Sequence, residues 1–390
     1  MGSMGGMGRV GCVARDVPEI GKFQRVVRQG GMLVVVSVMA ASCAGPRPQA
    51  APPQSQRPVA VPPVSAPKPG PPPAPVPEPT MPADVTPGNP LVKVRLFHGV
   101  PTVAIESSSE LQIESAGKLA PGVWQFVPTQ TQPPIQRYHV FSKTFRPGED
   151  PAMQQYVAEW KAKGYDAEPV LRGDRYAAAS GAILDGRQYW VSLARAATER
   201  EAQQIVKRLE AISTWAWVRV ETTQQGSGTV SVRSGGQQAA VYALPLTLRG
   251  DKPLVIESGA REGRYSGAIE LWVEPDSSLG VYETLPMEDY LAGVLPAEMP
   301  STWPVEALEA QAVTARSDVL EHLGFKHILE GYHFTNSEGD RVYAGFGGRL
   351  PSTDAAVSNT HGQVLVAGGR IVPAVFSADA RDCAVNPPHG

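Results

Sequence analysis

The chain has 390 residues, enough for two or three domains of ordinary size. Its formal net charge of −3 gives no basic footprint, which excludes nucleic acid as a default partner. Three cysteines, Cys12, Cys43 and Cys383, are too few and too scattered for a disulfide framework or a cysteine-rich zinc site.

Near the N-terminus Lys22, Arg25 and Arg28 precede an apolar run, Met32 to Ala41, that ends in small residues before Cys43. A basic segment, a short apolar core and a small-residue cleavage site predict a secretory signal peptide over residues 1–43. The apolar run is about ten residues long, too short to cross the ~30 Å of a bilayer as a helix. Ala40-Ala41-Ser42-Cys43 resembles a bacterial lipobox, with Ala40 where leucine is usual. The resemblance implies lipidation at Cys43 and a membrane held through that lipid. In a Gram-negative cell it implies an outer-membrane protein facing the periplasm. An ordinary signal peptide with an incidental cysteine is the alternative.

Residues 44–91 are rich in Pro, Ala, Val, Gln and Ser, and most of the chain's excess of proline lies there. Such a composition buries no core and favours extended, polyproline-like segments. At ~3.1 Å per residue, about 40 of them reach on the order of 100 Å, as a tether would.

From Tyr138 to Glu221 the pattern reads strand, helix, strand, strand, helix, strand. Pro151 to Lys163 places Met153, Tyr156, Val157 and Trp160 on one helical face, and Gly164 stops it. After Tyr189-Trp190-Val191, Thr198 opens a second helix with Glu201 completing a capping box. Ala202, Ile205, Val206, Leu209 and Ile212 form its buried stripe, and Trp215 to Val220 closes the unit. This duplicated order over 136–222 resembles the SPOR domain, a small βαββαβ module. The resemblance implies binding of glycan stripped of its stem peptides, through exposed sheet residues.

From Gly228 onward short alternating runs separated by turn residues predict a largely β region over 228–390. A helix follows, with Ser301 and Thr302 as candidate caps and Pro304 in its first turn. Leu308, Ala312, Ala315 and Val319 share one of its faces, and Gly324 ends it. The expected fold class is therefore α+β: a small βαββαβ domain, then a largely β domain with a helix behind Glu298.

This stretch carries Glu288-Asp289-Tyr290-Leu291, Ala297-Glu298-Met299-Pro300, Ala310-Gln311-Ala312-Val313 with Ala315-Arg316, Val342-Tyr343-Ala344-Gly345 and Val375-Phe376-Ser377-Ala378. In that order these closely resemble the SpoIID/LytB family. The SpoIID type implies a lytic transglycosylase that cleaves denuded peptidoglycan glycan strands and leaves 1,6-anhydro-N-acetylmuramic acid ends. The family's catalytic acid carries over to Glu298. One carboxyl suffices there, because the sugar's own hydroxyl attacks the anomeric carbon, whereas ordinary glycosidases need two carboxylates. Leu295, Met299 and Trp303 would raise the Glu298 pKa by desolvation. The competing reading is a glutamate that complements a helix dipole.

Gln311 and Arg316 are candidate substrate-binding residues, or polar groups satisfying buried backbone. Tyr343 is a candidate for stacking on a sugar ring, or a core aromatic. The LytB type implies instead a non-catalytic protein that binds glycan and enhances a cell-wall amidase. A purely structural envelope lipoprotein is a third reading.

Two departures bear on these expectations. The segment Thr335 to Arg341 lacks the Cys and His-Cys ligands that many relatives place there, and His322, His327 and His333 lack metal-ligand spacing, so no metal and no cofactor is expected. After Ala378 the family's Ser-x-x-Gly-Gly-x-Thr-like motif is missing, so a domain truncated at its C-terminus is expected.

Overall fold

The computed structural model describes the backbone of residues 23–29, 32–38 and 85–86. It describes backbone and side chains of 88–178, 181–337 and 339–372. Phe23–Gln29 and Met32–Val38, both within the expected signal sequence, pair as an antiparallel hairpin. They belong to a unit separate from Met81–Phe376. Cys43, nearly all of the Pro-rich tract and the sequence after Val372 lie outside the described residues.

The unit Met81–Phe376 carries two large sheets. In the first, of six strands, the order is Gln237–Leu244, Ser227–Ser234, Gly122–Gln132, Val103–Ser107, Leu254–Ser258 and Arg261–Tyr265. In the second, of seven, it is Phe334–Thr335, Leu91–Val100, Leu279–Pro286, Ala268–Val273, Leu246–Gly250, Leu111–Ile113 and Gly117–Leu119. The two sheets share one core, to which Val94, Ile105, Phe126, Val232, Leu248, Ile256 and Val281 contribute. The β region is thus built from two stretches of sequence. Strands between Leu91 and Gln132, which carry no motif, interleave with strands after Ser227.

Between these stretches the chain forms a four-stranded antiparallel sheet. Its order is Glu168–Arg172, Gln188–Ala196, Ile135–Phe145 and Trp217–Gln224. Helices α1 (Asp150–Ala162) and α2 (Glu199–Glu210) cover one face. Val140, Val191 and Leu193 meet Met153, Trp160, Val206 and Leu209 there. Both helices lie within a residue or three of their sequence-based bounds. The α2 capping box forms, with Glu201 N–H donating to Thr198 Oγ1 and the Glu201 carboxylate accepting from Thr198 N–H. The other face carries Phe141, Trp190 and Trp217, and Phe325 stacks on Trp190 at 5.6 Å. This sheet does not separate as a compact unit of its own.

Helices α3 (Met287–Glu298), α4 (Val305–His322) and α5 (Pro351–Asn359) complete the unit. Met287, Tyr290, Leu291, Val294 and Leu295 recur at helical spacing and are buried. Gly293 and Pro296, both helix-breaking types, sit inside α3. At Gly293 the reason is contact. A Cβ there would lie 2.4 Å from a ring carbon of Tyr343, so glycine admits the tyrosine against the helix. The expected caps of α4 do not form: Pro304 occupies the N-cap position, and Ser301 and Thr302 lend no side-chain bond. No described helix is long and apolar enough to cross a membrane.

Candidate functional site

Glu298 is the last residue of α3, with its side chain 23% exposed at the rim of the helical layer. It does not open a helix, so the dipole-complementing reading fails. It stands at the negative end of α3, which favours the protonated carboxyl. Burial raises its pKa above the ordinary value, Arg341 opposes the rise, and Asp318 adds to it. Arg341 Nη1 lies 3.8 Å from Glu298 Oε1, an electrostatic contact without a hydrogen bond.

Arg341 is itself buried and pairs with Asp318 of α4. Asp318 in turn lies 3.3 Å from His322 Nδ1, one helical turn on. Burial works to raise the Asp318 carboxyl, yet the bonds and charges of His322 and Arg341 hold it below its usual range. Burial likewise works against the His322 imidazolium, and Asp318 overrides it, so His322 is raised. The result is a chain of alternating charges, His322, Asp318, Arg341 and Glu298. Its terminal carboxyl is the one least satisfied. Such a group holds its proton more tightly than an exposed glutamate and can deliver it to an oxygen in front of it.

The other expected site residues fall elsewhere. Arg316 has 0% side-chain exposure. Its Nε and Nη2 donate to the two Glu288 oxygens at 2.7 Å each, and its remaining donors reach the carbonyls of Gln363, Val357 and Ala312. It ties α4 to α3 and α5, which matches the alternative of a polar group satisfying buried backbone. Tyr343 is 2% exposed, donates to Glu283 Oε2 at 2.8 Å and packs 5.1 Å from the Tyr290 ring. It packs as a core aromatic, the alternative to stacking on a sugar ring. Gln311 is 8% exposed, and its Nε2 has no partner among the described residues.

The residues that sequence reasoning missed are Asp318 and Arg341. A signal existed for the first, since Asp318 and His322 form a helical i,i+4 pair on α4. Arg341 directly precedes the Val342-Tyr343 motif but looks there like an ordinary surface charge.

Residues 275–366 match the family described as stage II sporulation protein, SpoIID. The match runs from the turn before Leu279–Pro286 through α3, α4 and α5, and it includes Glu298, Asp318 and Arg341. An uncharacterized protein of Brachyspira hyodysenteriae (strain ATCC 49526 / WA1) is 33% identical over 114 residues, 29% of this chain and 31% of that protein. The amidase enhancer of Bacillus subtilis (strain 168) is 34% identical over 88 residues, 23% of this chain and 11% of that one. Over part of its length this chain is homologous to SpoIID and amidase-enhancer proteins. The matches span less than a third of either relative. A solved structure of a Burkholderia pseudomallei K96243 protein is 15% identical with a TM-score of 0.20, covering 36% of this chain and 26% of that one. That likeness is too slight to carry an argument.

Within the SpoIID-matched stretch, the segment expected to lack metal ligands is organised by Asp340. It accepts from Lys326 Nζ at 2.6 Å and Thr335 N–H at 2.7 Å, and lies 3.3 Å from His327. Burial alone would raise this carboxyl, and those bonds hold it far below its usual range. His333 is pushed down to about 4 by burial and by Lys93, and its Nδ1 accepts the Lys93 N–H.

Proposed function

We propose that this chain is a cell-wall protein of the SpoIID and amidase-enhancer type, which engages peptidoglycan glycan strands and enhances a wall amidase. The observation that carries this is the match over 275–366, together with the amidase enhancer of Bacillus subtilis among its relatives. The four-stranded sheet with α1 and α2 lies outside that match, and a glycan-binding role for it rests on the sequence pattern over 136–222 alone. We also propose export and lipidation at Cys43, on the strength of the sequence before it. Mass spectrometry of membrane-extracted protein tests this, and a chain without lipid at Cys43 would refute it.

A second reading, favoured by the raised Glu298 carboxyl at the open rim, is glycan cleavage with Glu298 as the general acid and base. Glu298 would protonate the leaving glycosidic oxygen, then take the proton of the attacking sugar hydroxyl as the anhydro ring closes.

One experiment separates the two. Wild type and Glu298→Gln are incubated with sacculi, intact or amidase-stripped, with and without an amidase, and the soluble products are weighed. Amidase release stimulated equally by both forms, with no anhydro-ended glycan, is the expected result. Anhydro-ended glycans from wild type alone would replace enhancement by cleavage. Protein that neither sediments with sacculi nor changes amidase release would end both readings.

A further inference from the structure

The face of the four-stranded sheet turned away from α1 and α2 is not free. Strand register and alternation place Arg172, Trp190, His139, Phe141, Trp217 and Arg219 on it. Phe141 and Trp190 meet at 5.3 Å, and Trp190 and Trp217 at 5.7 Å, so aromatic rings pave its middle. Phe325, from the turn that follows α4, covers this paving from outside. Its ring lies 5.6 Å from that of Trp190 at an interplanar angle of 21°, and Trp190 is only 6% exposed.

Glycines admit that ring. Gly173, at φ +78° in the turn after Glu168–Arg172, would set a Cβ 2.6 Å from Phe325 Cζ. A Cβ on Gly324 would lie 2.4 Å from Gly173 Cα, so the backbones touch where Phe325 enters. The same segment then packs Ile328–Glu330 against Trp217–Gln224.

The covered face is poorly served by its cover. Trp190 Nε1, Arg172 Nε and Arg219 Nε are buried donors with no hydrogen-bond partner among the described residues. Arg172 lies diagonal to Trp190 on the neighbouring strand, and the Arg219 guanidinium stands 5.7 Å from the Trp190 ring. A phenyl ring offers none of these donors an acceptor oxygen. Each buried donor left unpaired costs free energy that a bond would return. A ring that stacks on Trp190 and carries acceptors at its edge therefore satisfies this face better than Phe325 does. Such a ligand and Phe325 compete for one place.

We propose that Phe325 is a built-in stopper on this face, and that a ligand ring reaches Trp190 only once the stopper has swung out. The ligand is a polymer of rings with acceptor-bearing edges, which rests on the glycan-binding role read from the pattern over 136–222. Stoppered and open sheet are then two states of one protein, and apparent affinity falls with the fraction that is open.

The test compares the full chain and its Phe325→Ala form by sedimentation with amidase-stripped sacculi. Phe325→Ala binds about tenfold more tightly, the factor for a face open in about a tenth of molecules. Arg219→Ala added to Phe325→Ala takes back most of that gain. Equal or weaker binding in Phe325→Ala overturns the stopper. Should that variant loosen the sheet, hydrogen exchange in wild type decides. On binding peptide-free glycan strands, residues 323–332 exchange faster while the strand Gln188–Ala196 exchanges more slowly. Slower or unchanged exchange over 323–332 overturns the proposal. Exchange of the Trp190 indole N–H, identified by its loss in Trp190→Phe and read without glycan, separates the failures. Equal rates in wild type and Phe325→Ala mean that the ring covers nothing, and the stopper falls. A faster indole in Phe325→Ala, with neither form sedimenting, keeps the cover and ends the glycan-binding role.

Discussion

Arg316 and Arg341 lie in the same SpoIID-matched stretch and treat their carboxylates in opposite ways. Arg316 is fully buried and spends all five donors on the Glu288 fork and three carbonyls. Arg341 sits near the rim, pairs with Asp318, and approaches Glu298 only to 3.8 Å. The first arrangement leaves nothing over for a ligand. The second leaves a carboxyl partly desolvated, incompletely paired and open to solvent. Resemblance to a family motif therefore does not tell scaffold from chemistry. The degree to which each polar group is satisfied does.

The largest effect that can break this contrast is removal of Arg316. Arg316→Ala strands a partly buried Glu288 carboxylate and three carbonyl acceptors, and should cost roughly 3 kcal/mol of stability. Urea denaturation measures it. A cost below about 1 kcal/mol would mean that the clamp holds nothing and that the two arginines do not differ in kind.

Next in size is the buried carboxyl that braces Tyr343. Glu283 has 0% exposure and accepts from Gly267 N–H at 2.7 Å, Ser266 N–H at 3.0 Å and Tyr343 Oη at 2.8 Å. Burial pushes it up to about 7, with those bonds opposing. An unfolded glutamate titrates near ~4.3, so between these values only the folded protein holds the proton. Stability should then fall as pH rises from about 4.3 towards 7 and level off above, by roughly 3 kcal/mol from this group. Glu283→Gln should remove that slope while keeping the two backbone bonds, with its amide donating to Tyr343 Oη in place of the bond Tyr343 donated. Denaturation at pH 5 and pH 8 reads it, and an identical slope in the variant would show that Glu283 is already ionised in the fold.

A smaller effect probes the four-stranded sheet. Thr198→Ala removes the side-chain half of the α2 capping box, worth about 1 kcal/mol. Hydrogen exchange should show α2 loosened and α3 and α4 unchanged. Loss of protection in α3 as well would mean that the two regions unfold as one.

The sequence pattern shows these regions unequally. Helices α1 and α2 are legible because local signals agree: apolar spacing, Gly164 as a stop and Thr198 with Glu201 as a cap. Helix α3 is not, because Gly293 and Pro296 argue against a helix, and the reason for Gly293 is Tyr343, fifty residues away. The strands Leu91–Val100 to Gly122–Gln132 carry ordinary alternation, and no local cue says that they pair with strands beyond Ser227. At the site, Glu298 is legible through the motif. Whether Arg316 or Arg341 faces it is a question of tertiary packing, which spacing along one helix cannot answer.

The smallest expected stability effect is at Glu298 itself, and it is the most discriminating. Its folded carboxyl stands above the ordinary value, so ionising it at neutral pH works against the fold, and Gln removes that opposition along with the weak attraction of Arg341. Glu298→Gln should therefore change stability by no more than about 0.5 kcal/mol, on the stabilising side. A residue kept for chemistry is seldom the most stable choice at its position, whereas one kept for structure is. Should Glu298→Gln cost as much as Arg316→Ala, Glu298 belongs with the clamp. It would then be scaffold, and the cleavage reading would lose its acid.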